Sequence, residues 1–241
     1  MGHFGIGPRI IVSFGDGALF ITETVFFGII VAAVIIILAL WSTRKMEKFP
    51  KKKQVIAELI VESVYNLTKG TMGAHNIRFA PYIGTLIMFL VFANMLGLFG
   101  FRPVTADVNT TFALSILTFF LVQYNSFKSM GFKGKLKHMC DPYPFMFPLK
   151  IIEMLSQPIS LGFRLFGNIL GGVIVMELIF AALHSASEAL HLPIPFLTAI
   201  IPLPGNFFFD IFEPIVQAYI FTMLTMVFIS MEIIIHGDEH H

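Results

Sequence analysis

The chain has 241 residues, of which 56% are hydrophobic and 13% are charged, with a net charge of +1. Soluble globular domains carry about 25% charged residues, so the composition excludes a soluble protein and indicates a membrane protein with several spans. Long apolar runs without the alternation of a barrel predict that these spans are helices. The single cysteine, Cys140, excludes an intrachain disulfide and indicates neither a metal site nor a redox pair.

The first half of the chain alternates long apolar runs with one amphipathic stretch. Residues 18–41 are apolar over a length that predicts a membrane span. From 54 to 72, polar residues recur every three or four positions opposite a broad apolar face. This pattern predicts a helix that lies along the membrane interface. Two further spans are predicted at 79–101 and 109–127.

The second half of the chain contains two apolar runs that are too long for upright helices, 149–184 and 206–236. At 1.5 Å per residue they would measure about 50 Å and about 45 Å, whereas the hydrocarbon layer is about 30 Å thick. We therefore expect two steeply tilted helices packed as a hairpin. Four prolines in 192–205 predict a broken or re-entrant connection between them.

Together these elements predict one all-α integral membrane domain over 1–241, with about five spans and one interfacial helix. Thirteen of the sixteen lysines and arginines fall on one face of this topology, in 42–53, 69–78 and 128–150. Basic residues collect on the cytoplasmic face. The amino terminus is therefore predicted outside and the carboxyl terminus in the cytoplasm.

One arginine stands out within the fourth predicted span. Arg164 is the only basic residue between Lys150 and His184. A charge in the hydrocarbon costs at least about 2.5–3.5 kcal/mol, so it is tolerated only where it faces protein, a counter-charge or water. The guanidinium stays protonated, which makes Arg164 a permanent charge. We therefore interpret Arg164 as the functional centre of the chain.

Polar residues on the two long helices fall into groups around Arg164. Asn168 lies one turn from Arg164, and Asp210, Glu213 and Gln217 share one stripe of the last helix. Carboxylates in a membrane are paired, protonated or hydrated. The arrangement predicts two aqueous half-paths separated by Arg164, although an ion pair of any single carboxylate with Arg164 remains an alternative. The outer group is Glu177, Asp210 and Glu213; the inner group is Glu153, Ser156 and Glu232.

Three motifs resemble subunit a of the F-type ATP synthase. Residues 156–168 read SQPISLGFRLFGN, residues 217–225 read QAYIFTMLT, and residues 94–98 read NMLGL. They occur in the same order as in that family, and the resemblance covers most of the chain. The first motif is highly specific to the family, and the second is moderately specific.

The resemblance implies an ion-conducting stator beside a rotating ring of c subunits. Arg164 would meet each ring carboxylate and prevent a direct leak of ions, while Asn168 and Gln217 would line the site beside it. The implied ion is H⁺, with Na⁺ as the alternative. The implied partners are the c-ring, the peripheral-stalk subunit b and the lipid bilayer, with no nucleic acid. The implied location is the inner (plasma) membrane, crossed several times.

The sequence departs from the family pattern in the outer half-channel. Nine residues after Arg164, where many members carry glutamate or histidine, the residue is Val173, and the nearest acid is Glu177. Seven residues before Gln217, where histidine or glutamate is common, the residue is Asp210. The connection in 192–205 also looks longer than in common bacterial forms. These departures make the outer half-channel the least settled part of the prediction.

Two other functions fit a polytopic membrane protein. A secondary transporter or channel with an intramembrane arginine is the first alternative, but transporters are commonly built from repeated spans, which this sequence lacks. A purely structural subunit is the second, but it would have no reason to keep Arg164 in the membrane. The sequence contains no phosphate-binding glycine loop and no histidine spacing typical of metal ligands. We therefore expect no phosphoryl-transfer site, cofactor or metal in this chain.

Overall fold

The computed structural model describes residues 10–14, 19–44, 52–140, 143–189 and 201–234. The prediction of an all-α membrane protein is confirmed, because helices make up nearly all of these residues. The helices are α1 (Glu23–Thr43), α2 (Lys52–Met72), α3 (Ala80–Asn94), α4 (Val108–Cys140), α5 (Phe147–Ala189), α6 (Leu203–Phe207) and α7 (Glu213–Ile234). A π turn, Phe208–Phe212, joins α6 to α7, and short 3₁₀ turns cover Ala74–Phe79, Met95–Phe99, Val104–Ala106 and Pro144–Met146.

A small antiparallel hairpin precedes the first helix. Strand β1 (Ile10–Phe14) pairs with β2 (Leu19–Thr22), so α1 begins five residues later than the span predicted at 18–41. The change from strand to helix occurs at Thr22, whose side chain accepts a hydrogen bond from the Val25 amide and caps α1. The hairpin has no clear signal in the sequence, because the apolar character of β2 continues without interruption into α1.

Four of the described segments are long and apolar enough to cross a membrane: Glu23–Thr43, Ala74–Phe99, Phe147–Ala189 and Leu203–Ile233. The span predicted at 109–127 lies within α4, which is long enough but more polar. Gly131 interrupts α4 at φ 69°, ψ 167°, a backbone conformation that favours glycine. The topology of five crossings, with its orientation, stays a prediction.

Helix α2 covers the predicted interfacial stretch 54–72. Its apolar residues Ile56 and Leu59 are exposed, whereas Thr68 and Met72 are buried. Met72 packs in a cluster with Met226 and other apolar residues of α3, α4 and α7. The helix is therefore anchored at its carboxyl end and leaves apolar surface open toward its amino end, as expected at a membrane interface.

The main core lies where α3, α4, α5 and α7 meet. Its buried members include Leu90 of α3, Leu165 of α5 and Phe221 of α7. Gly162 lets α5 approach α4 closely, because a β-carbon at this position would be 3.1 Å from the Ser115 hydroxyl oxygen. This core fixes one face of α5 and leaves the opposite face free.

The two long helices extend beyond their predicted ends. Helix α5 has 43 residues, about 64 Å at 1.5 Å per residue, instead of the predicted 149–184. The last helical run begins at Leu203 rather than at 206, so the end of the predicted break in 192–205 is helical. Residues 190–200 of that connection lie outside the described residues, as do 235 and 236 at the end of the last predicted span.

Candidate functional site

Arg164 occupies the middle of α5, about 26 Å from its first residue and about 38 Å from its last. The core packs Leu161, Leu165 and Ile169 inward. This places Arg164 on the outer face of the helix, where its side chain is exposed in the isolated chain. Within the part of the chain that the structure describes, Arg164 makes no salt bridge. The arginine is therefore exposed near the middle of α5 without a counter-charge among the described residues.

A hydrogen bond joins the two long helices one turn away from Arg164. The side-chain amide of Asn168 donates to Gln217 Oε1 at 2.6 Å, which brings together two of the predicted site residues. Gln217 is 2% exposed, and its Nε2 has no hydrogen-bond partner among the described residues. A buried amide nitrogen without a partner is costly, so this N–H donor is suited to the oxygen of a water molecule.

The predicted outer residues line one cavity of about 340 Å³ between α5 and the start of the last helical run. Glu177 lies on its α5 side, and Asp210 and Glu213 lie on the opposite side. Val173 also contributes to the wall. It stands nine residues after Arg164, at the position that is often polar in the family and is apolar here. Three carboxylates in one cavity favour water within it, because carboxylates in a membrane must be hydrated, protonated or paired.

The π turn shapes one wall of this cavity. The Glu213 amide donates to the carbonyl oxygen of Phe208, five residues earlier. Pro214 follows and has no N–H to donate to the carbonyl of Asp210, which explains why regular α-helical bonding fails here. π turns occur frequently at functional sites. Asp210 is part of this turn. Its carboxylate lies next to Gly97, where a β-carbon would be 3.6 Å from Asp210 Oδ1.

Asn94, which was not among the predicted site residues, lies in the cavity wall. Asn94 is 2% exposed. Thr105 donates a hydrogen bond to its Oδ1, while its Nδ2 has no partner among the described residues. The sequence feature that could have identified Asn94 as a site residue is an asparagine within an apolar span, at the start of the family motif NMLGL.

The family described as ATP synthase A chain matches residues 25–230, which is most of the chain. The chain belongs to the ATP synthase subunit a family. It is 35% identical to ATP synthase subunit a of Trichlorobacter lovleyi over 205 residues, 83% of this chain and 82% of the relative. It is 34% identical to that of Moorella thermoacetica over 197 residues, covering 81% and 83%.

A relative with a stated ion specificity is also similar. The chain is 32% identical over 237 residues, 92% of its length, to "ATP synthase subunit a, sodium ion specific" of Propionigenium modestum, of which the match covers 76%. Membership of the family makes this chain a multi-pass membrane subunit of an F-type ATP synthase that takes part in ion translocation. Its partners are in general other subunits of the membrane sector.

The predicted inner residues of this subunit a are not brought together as the outer ones are. Glu153 and Ser156 are exposed near the start of α5, where the Ser156 hydroxyl donates to the carbonyl oxygen of Glu153 at 2.7 Å. Glu232 accepts hydrogen bonds from Lys135 at 2.5 Å and Ser126 at 2.6 Å. This carboxylate is therefore already paired, and its role in an ion path stays a prediction.

Proposed function

We propose that the chain is the ion-conducting stator of a rotary ATP synthase. Two offset aqueous half-channels load and unload carboxylates on a rotating c-ring, and Arg164 prevents a direct leak between them. The observation that carries this proposal is the exposed Arg164 in the middle of α5, without an ion-pair partner among the described residues. A charge in this position needs a counter-charge or water. A carboxylate on a neighbouring ring meets that need.

The face of α5 around Arg164 is suited to a passing helix. At Gly167 and Gly171, a β-carbon would have no heavy atom of another residue within 4 Å. Small residues permit close approach between membrane helices. Phe163 and Ile174 expose apolar side chains on α5 as well. The proposed ring surface is therefore apolar and shallow, with Arg164 as its one permanent charge.

The outer half-channel is proposed to run through the cavity of Glu177, Asp210 and Glu213. Gln217 lies four residues beyond Glu213, about 6 Å along α7, and its hydrogen bond to Asn168 reaches the turn next to Arg164. The two unpaired amides of Asn94 and Gln217 offer donors to water along this route. An ion would pass from the cavity to the ring carboxylate facing Arg164.

The inner half-channel is proposed to begin near Glu153 and Ser156. Both are exposed at the end of α5 that lies on the predicted cytoplasmic side. Glu232 is the third proposed residue, and it could conduct only if its ion pair with Lys135 opened.

The decisive experiment replaces Arg164. In the assembled complex, Arg164→Ala is expected to abolish coupled ion transport without loss of assembly, and Arg164→Lys is expected to fail as well, because lysine lacks the planar fork of donors. Lys69→Ala, on α2, serves as the control. ATP synthesis is measured in membranes of each variant. Normal synthesis with Arg164→Ala would exclude the proposed mechanism.

The transported ion is proposed to be H⁺, with Na⁺ as the alternative raised by the sodium-specific relative. ATP-driven uptake by the reconstituted complex separates them. Uptake that a protonophore abolishes and Na⁺ does not stimulate indicates H⁺. Uptake that Na⁺ stimulates and the protonophore spares indicates Na⁺.

The orientation, with the amino terminus outside and the c-ring and subunit b as neighbours, is also part of the proposal. Cys140 is the only cysteine, and it lies in the stretch predicted to be cytoplasmic. A membrane-impermeant thiol reagent should label it in inside-out vesicles. Labelling only in right-side-out vesicles would reverse the orientation.

A further inference from the structure

The end of α4 forms a separate helical segment with its own surface. The positive φ of Gly131 breaks the helix, so Phe132–Cys140 leaves the direction of the preceding span. Lys135 then fixes the segment, because it is 4% exposed and forms the ion pair with Glu232 at the end of α7. The position of this segment is thus set by the fold.

The outward side of this segment combines basic and apolar side chains. Lys133 and Lys137 each lie two residues from Lys135, which places them on the opposite side of the helix, and both are exposed. Phe132 is 73% exposed and Leu136 is 47% exposed. We name these four residues, Phe132, Lys133, Leu136 and Lys137, the basic–apolar surface. Phe132 also stacks on Phe127, with ring centroids 6.2 Å apart.

Most charged residues in and around this segment are positive. Residues 128–150 contain five lysines and one acidic residue, Asp141. Glu232 neutralises Lys135, but Lys133 and Lys137 take part in no ion pair among the residues that the structure describes. The basic–apolar surface therefore presents two uncompensated cations beside two apolar side chains.

We propose that the basic–apolar surface binds the phosphate headgroup of an anionic phospholipid. Lys133 and Lys137 contact the phosphate, and Phe132 and Leu136 enter the boundary between headgroups and acyl chains. The segment is the last part of α4 and follows the span predicted at 109–127, so the predicted topology puts it at the membrane surface. Basic clusters beside membrane helices attract anionic lipids, and apolar side chains next to such a cluster enter the boundary between headgroups and acyl chains. This inference does not depend on the proposed ion path.

The test uses the full chain in nanodiscs, labelled at Cys140 with the fluorophore bimane. Cys140 lies at the end of the segment, three residues from Lys137. Two sets of nanodiscs contain the same mixture of phosphatidylglycerol and phosphatidylcholine. In one set only the phosphatidylglycerol is brominated, and in the other only the phosphatidylcholine. Comparison of bimane quenching gives the relative association constant of the anionic lipid at this surface.

Preferential quenching by brominated phosphatidylglycerol is expected with the unmodified chain. A lysine near an anionic surface changes binding about fivefold, so Lys133→Gln combined with Lys137→Gln should lower the relative association constant by about 25-fold at low salt. Lys69→Gln, outside the surface, should leave it unchanged. At 1 M salt, where the Debye length is about 3 Å, the preference should fall strongly.

Three outcomes would overturn the proposal. Equal quenching by both lipids with the unmodified chain would show that the surface does not select anionic headgroups. Suppression of the preference by millimolar inorganic phosphate would assign the surface to a soluble anion. Loss of quenching by either lipid, when the labelled chain is assembled with its partner subunits, would show that a protein covers the surface.

Discussion

Gly172 is the position where the proposed outer half-channel has the least space. A β-carbon at Gly172 would lie 2.8 Å from Phe209 Cδ1 and 3.1 Å from Glu213 Oε2. Gly70, in α2, would place a β-carbon in open space, away from both the cavity and the proposed ring surface. Gly172→Ala and Gly70→Ala therefore add the same methyl group, but only Gly172→Ala crowds the cavity.

The methyl group at Gly172 must displace the Phe209 ring or the Glu213 carboxylate, or separate α5 from the last helix. Overpacking of this kind costs about 1–3 kcal/mol. The present arrangement of the cavity would become about 5- to 150-fold less populated. We therefore expect ATP-driven ion uptake by the reconstituted Gly172→Ala complex to fall by a factor in this range, and uptake by the Gly70→Ala complex to stay unchanged.

A second substitution tests whether the loss comes from crowding. Phe209→Ala removes the ring that the new methyl group meets, so the Gly172→Ala, Phe209→Ala complex should recover part of the lost uptake. The amount of assembled complex is measured in each case. Equal uptake by Gly172→Ala and Gly70→Ala at equal assembly would refute the assignment of this cavity to the ion path.

Three further substitutions address other contacts. Glu232→Gln leaves Lys135 buried without its counter-charge and should destabilise the chain by about 3–5 kcal/mol, seen as a lower unfolding temperature, whereas replacing both residues with Met should restore stability. Thr24→Val removes a 2.7 Å hydrogen bond to buried Asp107 and should cost about 1–3 kcal/mol, with normal uptake per assembled complex. Asp210→Asn should slow ion transfer from the outer side, and unchanged flux at every pH would remove Asp210 from the path.

The long apolar helices were predictable because hydrophobic length is a strong local signal. The ends of these helices were less predictable, because they depend on caps and on packing. At Thr22 one side-chain cap and a strand pairing decide where α1 starts. At Gly131 a single backbone conformation interrupts α4, and the basic residues that follow gave no sign of the helical segment found there.

The outer group of the candidate site was predictable in part. The spacing of Asp210 and Glu213 placed them on one stripe, and the structure puts both in the cavity with Glu177. The π turn was not predicted, although Pro214 marks the missing backbone donor. Asn94 was missed because its place in the cavity depends on packing between distant segments, which no local pattern reveals.

The structure distinguishes the two cations Lys135 and Arg164 by their counter-charges, which the sequence alone does not. Both belong to an apolar chain, and each must find compensation for its charge. Lys135 finds it within the chain, in Glu232, 97 residues away. Arg164 has no such partner among the described residues, and the nearby hydrogen bond of Asn168 is directed to Gln217. Among the described residues Arg164 is thus left to water or to a group outside them, and the stator proposed above would supply that group as a ring carboxylate.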